Sequence, residues 1–355
     1  MPRIVAVTTA TPPNLISQEK VKDFAQTHFG KNKLFQRLLP VFDNAMVEER
    51  HIAVDFAWLS KRHSFTESNQ RYVEVALNLS EQVTVDLAHR CAMPLDEFDV
   101  VFFISTTGLS TPSIDALLFN RIPLNPHIKR VPIWGLGCAG GAAGLSRAFE
   151  YLKAFPTHRA LVIVVELCSL SFQLEDPNKA DIISAALFGD GAAACAVFGD
   201  DTPQREASGI EPTILGSLST IYPNTLDVMG WRATSEGFKV TLSQDIPTIV
   251  SSLVKSNITE FLHHYELSLR DLAHFVMHPG GVKVLQAYAE GLGAPIEKFR
   301  HCYDVLRSFG NMSSVTVYFI LQRFLEDKSI LAGDFGLVGA LGPGFSSELV
   351  LLQWK

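Results

Sequence analysis

The sequence has few cysteines and lacks the segments that target a chain to a membrane or for export. Its 355 residues include five cysteines, which are scattered and form no C-x-x-C pair, so neither a disulfide framework nor a structural zinc site is expected. No apolar run is long enough to span a bilayer, and the apolar start is too short for a signal peptide. We therefore expect a cytoplasmic protein without stable membrane insertion and without a bound metal.

Basic residues are outnumbered by acidic ones. The chain has 30 Lys and Arg against 37 Asp and Glu, a formal net charge of −7. Because binding to a phosphate backbone needs a basic face, this balance disfavours a nucleic-acid partner. Hydrophobic residues make up 47% of the chain and charged residues 19%, which predicts an ordered protein with a large core.

Strand-like and helix-like stretches alternate along the chain and predict an α/β fold. We predict buried strands at 100–106, 160–165 and 273–277, and helices at 141–155, 247–265 and 313–326. A polar, turn-rich stretch at 200–205 is the best boundary between two halves, 1–204 and 205–355. Each half has a glycine-flanked loop that opens a helix, at 137–141 and at 310–314. This similarity between the halves predicts a duplicated fold with a site where the halves meet.

Cys138 stands among glycines at the predicted start of a helix. The free N–H groups and the positive dipole end of a helix stabilise a thiolate, and the same amides can form an oxyanion hole for a thioester. A buried structural cysteine is the commoner state of a free thiol, and Cys91, Cys195 and Cys302 are interpreted in that way. The setting of Cys138 favours a nucleophile.

His278 and Asn311 provide the partners that such a nucleophile needs. Alone, His278 would be interpreted as a structural histidine after a strand, and Asn311 as a helix N-cap. A cysteine, a histidine and an asparagine that each lie on a glycine-flanked turn between elements form a more specific pattern. We expect a Cys138 thiolate at neutral pH, paired with the imidazolium of His278.

Three other interpretations fit parts of this pattern. Residues 135–140 match the glycine fingerprint of dinucleotide-binding folds, but the match begins late in the chain and a cysteine would stand where the pyrophosphate passes. A papain-like hydrolase also uses Cys, His and Asn in this order, but its cysteine is followed by an aromatic motif and Cys138 by Ala139 and Gly140. A degenerate, non-catalytic scaffold is disfavoured by the intact triad.

Five motifs in order resemble the type III polyketide synthases, the chalcone-synthase-like family, and the resemblance extends over nearly the whole chain. The motifs are WGLGCAGG at 134–141, ALFGDGAA at 186–193, HPGG at 278–281, FGNMSS at 309–314 and GPGF at 342–345. The resemblance implies a homodimer of duplicated thiolase-type αβαβα halves in five layers. It implies no cofactor, because acyl-CoA and malonyl-CoA are substrates. The alternative is a β-ketoacyl synthase III-like enzyme, which has a different stretch after its histidine.

The same resemblance assigns roles to single residues. It implies Cys138 as the nucleophile that holds the acyl chain, His278 and Asn311 as aids to malonyl decarboxylation, and Phe188 as a gatekeeper between the CoA tunnel and the active site. CoA is expected to contact Arg50, Gly280 and Gly281. Further residues are expected to line the cavity: Thr106, Cys168, Ser171, Val240, Ser313, Gly342, Pro343, Gly344 and Phe345.

Val240 motivates an expectation about the starter. It stands where plant members of the family carry a bulky aromatic side chain, so space is freed for an alkyl tail. We expect a medium- or long-chain fatty acyl-CoA starter, extended by malonyl-CoA and cyclised to alkylpyrones or alkylresorcinols. The alternative is that Trp231 or Phe238 refills the space and the enzyme uses small starters.

Overall fold

The computed structural model describes residues 1–174, 177–203, 210–243, 246–250 and 254–355. The predicted α/β class is confirmed. Thirteen strands are present in the described residues: β1 (Arg3–Ala10), β2 (Asn14–Ser17), β3 (Glu49–Ile52), β4 (Val100–Ile104), β5 (Lys129–Ile133), β6 (Arg159–Leu167), β7 (Asp190–Phe198), β8 (Pro212–Ile221), β9 (Met229–Thr234), β10 (Gly237–Leu242), β11 (Leu272–Met277), β12 (Phe335–Gly342) and β13 (Ser346–Trp354).

The helices alternate with these strands and include several short ones. Those in the described residues are α1 (Gln18–Phe29), α2 (Lys33–Leu38), α3 (Pro40–Asn44), α4 (Phe56–Leu59), α5 (Phe65–Arg90), α6 (Ile114–Leu118), α7 (Gly140–Ala154), α8 (Lys179–Leu187), α9 (Ile246–Ile249), α10 (Lys255–His263), α11 (Val282–Leu292), α12 (Arg300–Phe309) and α13 (Thr316–Glu326). Single 3₁₀ turns at Gly137–Ala139 and Ser313–Val315 lead directly into α7 and α13.

A mixed sheet joins both halves of the chain in the order β11-β12-β13-β8-β1-β7-β6-β4-β5. In the first half β4 pairs in parallel with β5 and β6, and β6 pairs antiparallel with β7. In the second half β11 and β12 are parallel, and β12 and β13 are antiparallel. In both halves parallel pairing at the outer edge of the sheet is followed by an antiparallel pair, which agrees with the similarity of the two halves in the sequence.

Helices α7 and α13 lie between the two groups of strands. Helix α7 contacts β4 and β6 of the first half and also β8, β12 and β13 of the second, and α13 contacts β1, β7, β11 and β12. Helix α5 packs on the other side of β1, β6 and β7. Strands covered on both faces are apolar throughout, as in the fully buried Val100–Ile104. This layering brings the N-termini of α7 and α13 together in the interior.

Most predicted elements are present with shifted ends. The strands expected at 100–106, 160–165 and 273–277 are β4, β6 and β11, and the helices expected at 141–155 and 313–326 are α7 and α13. The helix expected at 247–265 corresponds to α9 and α10, and its residues 251–253 lie outside the described residues. The end of the boundary stretch, 204–205, also lies outside them, so the division into 1–204 and 205–355 stays a prediction.

Candidate active site

Cys138 lies in the turn that leads into α7, half-buried at the edge of a cavity of about 830 Å³. Glycines allow this turn to pack closely. A Cβ on Gly137, whose φ is +47°, would lie 2.6 Å from the ring of Pro343, and one on Gly141 would lie 2.1 Å from the carbonyl oxygen of Ser314. The N-termini of α7 and α13 can therefore approach each other only because these positions have no side chain.

His278 and Asn311 reach the same cavity from the second half of the chain. His278 follows β11 and is held by its backbone N–H, which donates to the carbonyl of Gly339 at 2.8 Å. The side-chain oxygen of Asn311 accepts from the N–H of Ser313 at 2.8 Å, and its Nδ2 donates to the carbonyl of Gly280 at 3.3 Å. The structure thus brings the three predicted triad residues to one cavity.

The electrostatics differ from the predicted thiolate–imidazolium pair. Burial raises the pKa of Cys138 to about 12, although the hydroxyl of Ser313 lies 3.4 Å from Sγ and acts in the opposite direction. Burial also lowers the pKa of His278 to about 4, and neither of its ring nitrogens has a hydrogen-bond partner in the described part of the chain. Burial thus disfavours both charges of the predicted ion pair and favours a neutral thiol and a neutral imidazole at rest, so the pair stays a prediction.

Glu166, at the end of β6, is a buried acid that sequence reasoning did not connect with the site. Its carboxylate accepts from the N–H groups of Thr106 and Thr107 at 3.0 Å each and from the hydroxyl of Ser314 at 2.5 Å. Burial raises the pKa of Glu166 to about 7, and its negative charge in turn raises the pKa of Cys138. The sequence signal was an acidic residue at the end of an otherwise apolar strand.

Ser313 is the expected cavity residue that directly contacts the nucleophile. Its φ of +50° is unusual for a residue other than glycine, and this backbone conformation accompanies the approach of its hydroxyl to Sγ of Cys138. Thr106 acts on Cys138 through its neighbour in the chain: the hydroxyl of Thr106 accepts from the N–H of Gly137 at 3.0 Å. Thr106 therefore supports the turn of Cys138 from behind the cavity wall.

The segment Gly342–Phe345 packs against the turn that carries Cys138, and its expected place in the cavity lining stays a prediction. A Cβ on Gly342 would lie 2.5 Å from the carbonyl oxygen of Leu136, and Pro343 packs against Gly137. Gly344 has a φ of +73°, and Phe345 is fully buried with its ring 5.6 Å from that of Tyr222. The neighbouring Leu341 contributes to the wall of the cavity.

Phe188 separates the catalytic cavity from a second one. It contributes to the wall of both, and its ring stacks on Trp231 with centroids 6.2 Å apart. Cys168, Ser171 and Val240, all expected near the active site, line the second cavity. The geometry therefore agrees with a boundary position for Phe188, whose gatekeeper role stays a prediction.

Arg50 does not lie where a CoA-binding residue is needed. Its side chain is 1% exposed, and its guanidinium donates to the carbonyls of Ala185, Ala186 and Phe188. A buried cation in this position cannot reach phosphates in solvent, which speaks against the prediction for Arg50. The other two expected CoA contacts, Gly280 and Gly281, do line the catalytic cavity.

Two lysines that the sequence did not single out lie along the catalytic cavity. Lys179, in the first turn of α8, is partly exposed, and Lys283, in the first turn of α11, is exposed. Lys283 lies two residues after Gly281, just beyond the HPGG motif that begins at His278. The packing of α8 and α11 places both lysines at the solvent side of the wall. No local pattern in the sequence indicated this position.

Within the described ranges, no group of three or more His, Cys, Asp or Glu side chains is arranged to hold a metal ion. In the same ranges no helix combines the length and the apolar character needed to cross a bilayer. All five cysteines are free thiols.

Comparison with known proteins gives a consistent result. Residues 2–202 match the family model described as "Chalcone and stilbene synthases, N-terminal domain", and residues 213–354 match its C-terminal counterpart. The chain is 43% identical over 359 residues to a "Putative chalcone synthase" of Bacillus subtilis (strain 168), covering 99% of this chain and 98% of that protein. It is 28% identical over 364 residues to the "Alpha-pyrone synthesis polyketide synthase-like Pks18" of Mycobacterium tuberculosis (strain ATCC 25618 / H37Rv), with coverages of 99% and 90%.

A solved structure extends this similarity to the fold. The 1,3,6,8-tetrahydroxynaphthalene synthase from Streptomyces coelicolor A3(2), described as a bacterial type III polyketide synthase, superposes with a TM-score of 0.93 at 25% identity, covering 99% of both chains. The layered α/β architecture is thus the thiolase-like fold of these enzymes. The chain belongs to the chalcone and stilbene synthase family and is a type III polyketide synthase, an enzyme of the acyltransferase type.

Proposed function

We propose that this enzyme extends a medium- or long-chain fatty acyl-CoA by iterative condensation with malonyl-CoA and cyclises the product to an alkylpyrone or alkylresorcinol. Type III polyketide synthases need no cofactor beyond their CoA substrates. Relatives differ in product, since one is named for α-pyrone synthesis and another for 1,3,6,8-tetrahydroxynaphthalene. The choice of starter must therefore be argued from the cavities of this chain.

The observation that supports an alkyl starter is the second cavity, on the far side of Phe188 from Cys138. Val240, Cys168 and Ser171 lie along it, and most of its remaining wall is apolar. A buried methylene contributes about 0.8 kcal/mol, so an alkyl tail binds such a wall without specific polar contacts. The apolar residues of this wall are Ile16, Val21, Phe24, Ala25, Phe29, Ile52, Phe56, Leu59 and Phe172.

Trp231 bears on the alternative that an aromatic side chain refills the space beside Val240. The two residues are direct cross-strand partners in the β9–β10 hairpin. Trp231 packs on Phe188 and on Phe238, at 6.2 and 6.4 Å between ring centroids, and it is not among the described residues that line the second cavity. This arrangement supports the alkyl starter, because the aromatic side chains pack at the gate and do not fill the apolar cavity, which has a volume of about 80 Å³.

The chemistry that we propose begins with a neutral Cys138. As Sγ bonds to the acyl carbon of the starter, its proton moves to His278 and then to the departing sulfur of CoA. Malonyl-CoA next loses CO2, and the resulting enolate oxygen is stabilised by the Nε2–H of His278 and the amide of Asn311. One such donor is typically worth about 2.7–4 kcal/mol. The enolate carbon then attacks the thioester, the Cys138–acyl bond breaks, and the extended chain returns to Cys138 for the next cycle.

The CoA moiety is proposed to lie along Gly280 and Gly281, with its phosphates near Lys179 and Lys283. Both glycines and both lysines belong to the wall of the cavity that holds the triad. Ammonium groups at the solvent side of a cavity suit phosphates as point charges. They are proposed in place of Arg50, whose Nη1 and Nη2 donate to backbone carbonyls inside the protein.

We also propose a homodimer that acts in the cytoplasm. The family resemblance implies the first part, and the exposed apolar surface around Trp134 supports it. Five free thiols and CoA-dependent chemistry favour a reducing compartment.

The starter is tested by kcat/KM of the purified enzyme for acyl-CoAs from acetyl to stearoyl, with labelled malonyl-CoA as extender. We expect wild type to prefer long chains, Val240→Phe to lose that preference by about tenfold, and Val240→Ile to fall between them. A preference for acetyl- or malonyl-CoA, or an unchanged profile in Val240→Phe, contradicts the alkyl starter.

The same assay separates the competing reaction classes. A ketosynthase III-like enzyme would stop after a single condensation, and a hydrolase would release free acid without CO2. Cys138→Ala serves as the control and should form no polyketide.

A further inference from the structure

Arg50 lies in β3 with its guanidinium enclosed by the end of α8. Nη1 donates to the carbonyls of Ala185 and Phe188 at 3.0 and 2.9 Å, and Nη2 donates to that of Ala186 at 2.9 Å. Nη2 also donates to the side-chain oxygen of Gln18. One side chain therefore contacts three carbonyls at and just beyond the C-terminus of a single helix.

These carbonyls need a donor from outside their helix. The last four C=O groups of an α-helix have no intrahelical partner, and the C-terminus carries the negative end of the dipole. A guanidinium is suited to this place, since its planar fork presents five N–H donors and a positive charge. Gln18 completes the contact by donating to the carbonyls of Ala186 and Phe42 at 3.0 and 2.8 Å.

On the side away from Arg50, the backbone of residues 187–189 is hydrogen-bonded to Asn311. The backbone N–H of Asn311 donates to the carbonyl of Leu187 at 2.8 Å, and its carbonyl accepts from Gly189 at 3.0 Å. Phe188 lies between these two bonds. The backbone that carries Phe188 is thus held by Arg50 on one side and by a member of the triad on the other.

Burial makes this arrangement sensitive to the identity of residue 50. A buried charge is tolerated only when it is paired or fully hydrogen-bonded. Asp190, which is also buried, supplies negative charge nearby, and its carboxylate accepts from the N–H groups of Ala53 and Ser169 at 2.7 and 2.8 Å. The carbonyls of Ala185, Ala186 and Phe188 compensate the charge at Nη1 and Nη2, whereas Nε has no hydrogen-bond partner among the described residues.

We propose that Arg50 is a positioning residue that fixes Phe188, and with it Asn311, and so determines how far a growing chain extends before it cyclises. The proposal rests on the proposed role of Phe188 as the gate between the two cavities. It replaces the expected contact of Arg50 with CoA by a contact with the backbone of the gate.

The test compares Arg50→Lys, Arg50→Gln and Gln18→Ala with wild type, using malonyl-CoA and malonyl-N-acetylcysteamine, a thioester that lacks the CoA phosphates. We expect kcat of Arg50→Lys to fall about tenfold by the same factor with both thioesters, KM for malonyl-CoA to change less than about twofold, and shorter products to accumulate. Gln18→Ala should change the products in the same direction by a smaller amount. A rise in KM confined to malonyl-CoA would instead assign Arg50 to phosphate binding and overturn the proposal.

A double-mutant cycle with Phe188→Leu shows whether Arg50 acts through the gate. We expect Arg50→Lys to leave the product profile of Phe188→Leu nearly unchanged, because coupled residues are non-additive. Additive effects overturn the proposal. So does a loss of acylation at Cys138 in both Arg50→Lys and Gln18→Ala that matches their loss of condensation, since that indicates a general structural role.

Arg90→Lys is the matched control. Arg90 also donates to a backbone carbonyl, that of Val7 at 3.3 Å, but far along the sheet from the gate, and its replacement should leave the products unchanged. Failure of the proposed function remains distinguishable, because it concerns which starter wild type accepts. The Arg50 comparison can be made with any starter that wild type extends.

Discussion

At the residue scale, two neighbours of Cys138 act on its thiol in opposite directions. The hydroxyl of Ser313 stabilises the thiolate, and the carboxylate of Glu166 destabilises it. Burial has the largest effect and acts in the same direction as Glu166, so we expect a protonated thiol at rest. Its reactivity should then depend on proton transfer rather than on a standing charge.

This balance predicts the pH dependence of alkylation by iodoacetamide. The rate should rise with pH without a plateau up to pH 9, because only the thiolate reacts. Ser313→Ala should react more slowly at every pH. Glu166→Gln should react faster above about pH 7, where Glu166 is ionised, and like wild type below about pH 6, where it is protonated.

The rate is measured by mass spectrometry of the Cys138 peptide, with Cys138→Ala as the control for the buried thiols. A plateau near neutral pH in wild type would show a resting thiolate and contradict the neutral thiol. An equal rate in Glu166→Gln and wild type at pH 8.5 would show that the carboxylate does not act on Cys138.

At the element scale, the turn that follows α8 crosses the turn that follows α12. The crossing needs glycine on both sides: a Cβ on Gly189 would lie 2.2 Å from the carbonyl oxygen of Phe309, and one on Gly310 would lie 2.6 Å from that of Leu187. Gly310 also has a φ of +69°, which disfavours any side chain. These glycines let Asn311 form its two backbone hydrogen bonds with Leu187 and Gly189, on either side of Phe188.

Gly189→Ala should therefore destabilise the enzyme by about 1–3 kcal/mol, the usual range for an overpacked interior, and should lower condensation more than acylation of Cys138. The matched control is Gly230→Ala, in β9, where a Cβ would meet no atom within 4 Å. That change should be neutral or slightly stabilising, because alanine loses less backbone entropy than glycine. Chemical denaturation measures both, and equal stability of the two variants would contradict the crowding at Gly189.

At the scale of the whole molecule, one apolar surface lies beside the loop that precedes Pro112. Trp134 is 56% exposed and Leu109 is 42% exposed, and the indole N–H of Trp134 donates to the carbonyl of Gly108 at 3.2 Å. Exposed aromatic and aliphatic side chains that lie together often mark a protein interface. Thr111, which directly precedes Pro112, belongs to the same loop.

We expect sedimentation velocity to give a dimer at micromolar concentration, and Trp134→Asp to shift it towards monomer because the substitution buries a charge in the interface. Leu331→Asp is the control, since Leu331 is also exposed, at 65%, but lies in the loop before β12. A monomeric wild type contradicts the dimer, and a dimeric Trp134→Asp places the interface elsewhere.

The sequence by itself determined the α/β class and most elements near the site. It also predicted that Cys138, His278 and Asn311 meet, because strand ends and glycine turns are local features that can be recognised in the amino-acid sequence. The family motifs contain these same turns, so the resemblance and the residue chemistry pointed to the same cavity.

Only the tertiary structure showed the burial around Cys138 and the hydrogen-bond partners of Arg50. A helix N-terminus predicted a thiolate at Cys138, but burial, which depends on the packing of both halves, raises the pKa of the thiol to about 12. Arg50 finds its partners about 135 residues further along the chain, and Glu166 finds Ser314 148 residues away. Desolvation and long-range hydrogen bonds act through space, so no local pattern of residues could have indicated them.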